Sequence, residues 1–181
     1  KCLFVKNYNP KNIQFKSPQN IAILNTKCGN VIIELYPDIS PNAVKRFKEL
    51  IKKGAYNDVA FHRVIENTLV QAGDLEFGTR ENLDYGKVGT GKSGLGKIKS
   101  ELNEDFKYKK GSVGLARENE QDSEDSQFFI TLKDIPLFEG EYTPVGRVLY
   151  GIRVIEKVKF VNKYNIVPRP DFINSFVMLI N

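Results

Sequence analysis

The chain has no tryptophan, one methionine, one histidine and two cysteines among its 181 residues. Each scarcity removes a class of chemistry. A structural zinc site needs four closely spaced ligands, and a lone His62 with Cys2 and Cys28 outside any C-x-x-C spacing cannot supply them, so no metal is expected. A Ser-His-Asp triad would have to run through His62, yet no G-x-S-x-G elbow provides its serine. Long apolar runs are also missing. The longest is the five residues from Phe176 to Ile180, whereas a membrane-spanning helix needs about 20, so no membrane insertion is expected.

The composition that remains is that of an ordinary globular domain, 41% hydrophobic and 27% charged, and the length suits one domain with an arm. The net charge of +5 comes from scattered residues. The nearest thing to a basic patch, Lys107, Lys109 and Lys110, is interrupted by Tyr108 and faces no second run, which argues against nucleic-acid binding. Residues 1–20 are polar, with two prolines and no apolar period, and read as an N-terminal arm either laid on the domain or left mobile. The domain proper is 21–181. Cys2 and Cys28 could pair in an exporting compartment, but the sequence favours unpaired thiols. The missing starting Met and the tether-like arm favour an exported, periplasmic bacterial protein, with the cytoplasm as the alternative.

Ile21–Thr26 and Val31–Tyr36 are β-prone runs around Lys27-Cys28-Gly29-Asn30, which predicts an antiparallel hairpin. Ser40-Pro41 predicts an N-cap and first turn, and Val44, Phe47, Leu50 and Ile51 carry the helix forward to Gly54. A second helix is expected over Ile152–Val158. Strands are expected over Ala60–Ile65, Leu69–Ala72, Ser112–Arg117, Gln127–Thr131 and Phe172–Ile180. Many short strands with two helices indicate a mainly β barrel rather than a βαβ sheet.

Gly86 to Ser93 satisfies G-x-x-x-x-G-K-[ST], the phosphate-cradling pattern. That loop works only between a buried strand and a helix N-terminus. Here a polar stretch precedes it and Gly94-Leu95-Gly96 follows, so nucleotide binding is not expected. His62, inside a strand, reads as a core or inter-strand hydrogen-bonded residue. Side-chain alternation then sorts the neighbouring strands. Val64, Val70, Ala72, Phe128 and Ile130 share one face, while Arg63, Leu69, Gln71, Gln127 and Phe129 share the other. If the three strands adjoin, that second face is either a shallow peptide-binding surface or an ordinary solvated exterior.

The words Phe61-His62-Arg63-Val64-Ile65, Gln71-Ala72-Gly73-Asp74, Gly111 to Ala116, Ser126-Gln127-Phe128-Phe129-Ile130-Thr131 and Val145-Gly146-Arg147-Val148 occur in the order and spacing of one family. From about Ile21 to Phe160 the sequence resembles the cyclophilin-type peptidyl-prolyl cis–trans isomerases. The resemblance implies a closed eight-stranded antiparallel barrel capped by two α-helices, acting without a cofactor on proline-containing peptides and folding proteins. It implies Arg63 as the catalytic arginine, Gln71 as the holder of the substrate backbone and Phe129 as the floor of the proline pocket. Leu69, Ala116 and Gln127 would line the groove. Thr68 stands where an aromatic residue is usual, Leu137 where tryptophan is common and Tyr142 where histidine or tyrosine occurs. Phe138 would supply apolar wall beside Leu137, and cyclosporin-like inhibitors are expected to bind weakly. The loop Glu118–Asp125 reads as a solvated surface loop or as a selector of basic residues flanking the proline; its spacing matches no EF-hand. A non-catalytic peptide-binding or chaperone module on the same fold is the rival reading.

Overall fold

The computed structural model describes residues 2–160 and 166–181. Eight strands form one sheet: β1 (Ile21–Thr26), β2 (Gly29–Leu35), β3 (Arg63–Ile65), β4 (Leu69–Ala72), β5 (Ser112–Leu115), β6 (Phe128–Thr131), β7 (Pro144–Tyr150) and β8 (Ser175–Met178). Two helices accompany them, α1 (Pro41–Lys52) and α2 (Ile152–Glu156). The strand order is β3-β4-β6-β5-β7-β2-β1-β8, with every ladder antiparallel. The barrel is not closed by a continuous ladder. Among the described residues β3 and β8 share no ladder; isolated bridges from Ala60 to Phe172 and from Arg63 to Ile166 join the chain beside them, so the sheet curls into a half-barrel. The end strands are three and four residues long.

Alternation along the strands turns Leu24, Ile33, Leu35, Val70, Ala72, Val113, Leu115, Phe128, Ile130 and Phe176 into one buried core. The apolar stripe of α1 caps it. Phe47 sits edge-on to Tyr56, Phe128 and Phe176 at centroid distances of 5.1–5.6 Å. The expected N-cap of α1 is replaced. Ser40 makes no side-chain cap, and Glu101, nearly sixty residues away, accepts the Ala43 N–H at 2.6 Å and the Asn42 N–H at 3.3 Å. A carboxylate suits the positive end of the helix better than a hydroxyl, but only the fold brings it there.

The strand Pro144–Tyr150 is the one that residue patterning alone leaves out, because its face pattern fades into exposed Leu149 and Tyr150. Cys2 and Cys28 are joined in a disulfide, contrary to the expectation of unpaired thiols. The arm lies against the β1–β2 turn: the Asn30 N–H donates to Asn7 Oδ1 at 3.0 Å, the Asn30 side chain donates to Tyr8 O at 3.2 Å, and Tyr8 packs on Tyr150 at 5.0 Å. These contacts hold the two cysteines together, and no spacing rule in the sequence reveals them.

Candidate functional site

Strand register builds the site. Arg63 of β3 is paired with Gln71 of β4, Gln71 with Phe129 of β6, and Phe129 with Gly114 of β5, so four residues form one row across the sheet. Their side chains point away from the core, on one face. Gly114 makes room for the row's ring: a Cβ there would lie 2.5 Å from Phe129 Cζ and 3.0 Å from the Tyr108 hydroxyl.

The outer face is not a bare solvated exterior. Phe129 and Leu69 are only 3% and 4% exposed, buried in a second apolar cluster with Phe106 and Tyr108. Tyr36, Phe138 and Tyr142 pack around it. The Phe129 ring stacks on Tyr108 at 6.0 Å and meets Phe138 and Tyr142 edge-on at 5.3 and 5.5 Å. Tyr108 donates its hydroxyl to Tyr142 O at 2.7 Å, and burial raises its pKa far above the phenol range, keeping it a neutral donor.

The row carries a hydrogen-bond chain with one consistent direction. Arg63 Nη1 donates to Gln71 Oε1 at 3.1 Å, Gln71 Nε2 donates to Gln127 Oε1 at 3.0 Å, and Gln127 Nε2 donates to Gly89 O at 3.0 Å. A guanidinium can only donate and a carbonyl can only accept, so both amide orientations follow from the ends of the chain. Among the described residues the Arg63 side chain has no other hydrogen-bond partner and no ion pair. Its remaining donors face a cavity of about 310 Å³ lined by His62, Arg63, Leu69, Gln71, Ala116, Phe129, Phe138 and Tyr142. A second cavity of about 130 Å³ adjoins it past Gln71, Ala116 and Gln127.

Eight of the ten residues named from the sequence therefore meet: Arg63, Gln71, Phe129, Leu69, Ala116, Gln127, Phe138 and Tyr142. Thr68 and Leu137 do not. Thr68 lies in the β3–β4 turn with its hydroxyl donating to Glu66 O, and Leu137 is 85% exposed on the turn Pro136–Phe138. Phe138 takes the inward place beside it.

Arg117 is the residue that sequence reasoning missed. It lines both cavities, stacks on Tyr142 at 4.9 Å and donates to Glu141 O, Glu118 O and Asn119 O at 3.0–3.2 Å. Its neighbour Ala116 gave the only signal, since the inward turn depends on Tyr142, 25 positions on. Among the described residues the larger cavity thus has two guanidinium groups and no carboxylate in its lining.

The acidic loop is exposed over Glu118–Asp122 and buried over Ser123–Asp125. Buried Glu124 accepts from Ser100 and Thr143, and buried Asp125 holds Arg46 at 2.8 Å and the Ser93 N–H at 2.7 Å. Glu118 bonds to Lys92 and Lys97, which keep its carboxyl below the usual carboxylate range. Glu124 and Asp125 are thus committed to internal partners, whereas Glu118, Glu120 and Asp122 stand exposed. The glycine loop 86–93 likewise turns its N–H groups inward, from Gly89 and Gly91 to Asp74, from Lys92 to Glu76 and from Ser93 to Asp125. A phosphate finds those donors occupied. His62 is 1% exposed, as a core residue, but neither ring nitrogen has a hydrogen-bond partner among the described residues.

The family model for the cyclophilin type peptidyl-prolyl cis-trans isomerase/CLD matches residues 21–175. A probable peptidyl-prolyl cis-trans isomerase of Brucella suis is 42% identical over 143 residues, covering 78% of this chain and 72% of that protein. A peptidyl-prolyl cis-trans isomerase-like 1 protein of Emericella nidulans is 33% identical over 144 residues, covering 77% of this chain and 82% of its own. In fold, the chain is similar to a cyclophilin type peptidyl-prolyl cis-trans isomerase of Cryptosporidium parvum, with a TM-score of 0.75 at 24% identity, over 87% of this chain and 98% of that one. The chain belongs to the cyclophilin-type peptidyl-prolyl cis–trans isomerase family of enzymes.

Proposed function

We propose that the chain accelerates rotation about X-Pro bonds in peptides and folding proteins, with Arg63 as its catalytic residue. The observation that carries this reading is a guanidinium, held among the described residues by Gln71, facing a cavity with an aromatic floor. The barrier to rotation, about 18–20 kcal/mol, is amide resonance lost as the C–N bond twists. In the twisted state the prolyl nitrogen pyramidalises and regains a lone pair. A donor placed there stabilises that state and not the planar ones, which lowers the barrier. Arg63 supplies the donor. No covalent intermediate or cofactor enters the reaction.

Phe129 and Leu69 hold the proline ring, with Phe138 and Tyr142 as apolar wall. Gln71, having spent one hydrogen on Gln127, keeps the other for the substrate backbone, and Ala116 leaves the groove open. The Cryptosporidium structure was determined in the presence of the dipeptide Ala-Pro, which is consistent with proline-containing peptides as the ligand class. The test is the cis-to-trans rate of a short Ala-Pro peptide, read by NMR exchange, with the wild-type protein and with Arg63→Ala. Removing one such donor costs about 10²–10³ in rate. Peptide binding without acceleration by the wild type would leave a binding module instead of an enzyme.

A further inference from the structure

The hydrogen-bond chain from Arg63 does not stop at the glycine loop. Gln127 Nε2 donates to Gly89 O at 3.0 Å and approaches Gly91 O at 3.5 Å. The N–H groups of the same two residues donate to Asp74 Oδ2, at 2.7 and 3.0 Å. Asp74 Oδ1 accepts the N–H groups of Glu76 and Phe77 at 3.0 and 2.8 Å. The carboxylate is 0% exposed, and four backbone donors replace its water. We propose that Asp74 is the positioning residue for Arg63: it pins the glycine loop, whose carbonyls orient Gln127, which orients Gln71, which holds the guanidinium.

Nothing else among the described residues is suited to pin this loop at the same two donors. Gly89 has φ +99°, and a Cβ on Gly91 would lie within 2 Å of Asp74 Oδ1, so the loop's glycines are shaped around this carboxylate. The phosphate-loop pattern in the sequence therefore has a physical cause. Glycines and inward N–H groups surround an anion here too, but the anion is the chain's own Asp74.

An Asp74→Asn substitution separates this role from general scaffolding. An amide has one acceptor oxygen, and its NH2 group would confront two N–H donors. The Glu76 and Phe77 turn is two and three residues away, and such local bonds form readily. The oxygen stays with that turn, and the distant 89–91 loop is released. Gln127 and Gln71 then lose their fixed orientation, and misplacement of a catalytic group costs rate steeply.

This inference rests on Arg63 acting as proposed above, and the experiment keeps the two apart. Exchange NMR on an Ala-Pro peptide gives kcat and KM for wild type, Asp74→Asn, Gln127→Leu and the double variant. The side-chain amide resonances of Gln71 and Gln127 are followed in the same samples. The expected result is a kcat lowered about tenfold in Asp74→Asn with KM changed less than twofold, and less than twofold further loss when Asp74→Asn is added to Gln127→Leu, where the chain is already cut. An equal tenfold loss in both backgrounds, or a folded Asp74→Asn with wild-type kcat, overturns the proposal. If wild type itself shows no acceleration, the isomerase reading fails, and the Gln71 and Gln127 resonances decide the positioning claim: shifted in Asp74→Asn they support it, unshifted they refute it. Should Asp74→Asn not fold, Gly91→Ala, which forces the loop off the carboxylate, takes its place in the same cycle with the same expectations.

Discussion

Replacing His62 by glutamine isolates the energetic effect of a buried imidazole with no hydrogen-bond partner among the described residues. Burial, chiefly, pushes the His62 pKa down to about 4, with Asp74 drawing it up by less; in an unfolded chain it stands near 6.5. Between those two values the unfolded chain binds a proton that the folded chain refuses. Stability is therefore complete above about pH 6.5, declines as the pH falls, and levels off below about pH 4. At 1.36 kcal/mol for each whole pH step, the loss comes to about 3 kcal/mol by pH 4. Glutamine is of similar size and does not titrate. Its buried amide adds an offset that is the same at every pH. The assay is urea unfolding of wild type and His62→Gln at pH 7, 6, 5 and 4. Carboxylates common to both proteins cancel in the difference, so the wild-type advantage should shrink by about 3 kcal/mol from pH 7 to pH 4. Parallel curves would mean that the folded protein does accept the proton, and the reading of His62 as an unpartnered neutral ring would be wrong.

Gly114→Ala should displace the Phe129 ring, destabilising the fold by about 1–3 kcal/mol through overpacking and raising KM for an Ala-Pro peptide, both readable by thermal melts and exchange NMR. Leu137→Ala should leave stability within about 0.5 kcal/mol and the rate within about twofold, because the side chain stands in solvent. Phe138→Ala, one residue on, should raise KM several-fold by opening the pocket wall; equal behaviour of the pair would contradict the placement of the turn Pro136–Phe138. Reduction of the Cys2–Cys28 disulfide, which closes a 26-residue separation, should lower stability by about 3 kcal/mol. It should not alter isomerisation, since no described residue of the arm or the β1–β2 turn lines either cavity; a changed rate would link the arm to the site.

The sequence by itself determined the strands that make the groove. Period-two alternation puts Val64, Val70, Ala72, Phe128 and Ile130 on one face and so Arg63, Gln71 and Phe129 together on the other, because a strand's side chains alternate whatever lies beyond it. The helical spacing of α1 was legible for the same reason: both signals are local. The tertiary structure decided what covers each surface and what partners each buried charge. Phe106, Tyr108 and Tyr142 enclose the floor of the pocket, Glu101 caps α1 in place of Ser40, the arm brings Cys2 to Cys28, and Arg117 folds onto Tyr142. Asp74 closes its bonds with a loop fifteen residues away, and Glu124 and Asp125 turn inward from what reads as an acidic surface. These pairings join residues far apart in the chain, and a desolvated donor or acceptor takes whichever partner the fold brings within 3 Å, a distance that no local pattern in the sequence encodes.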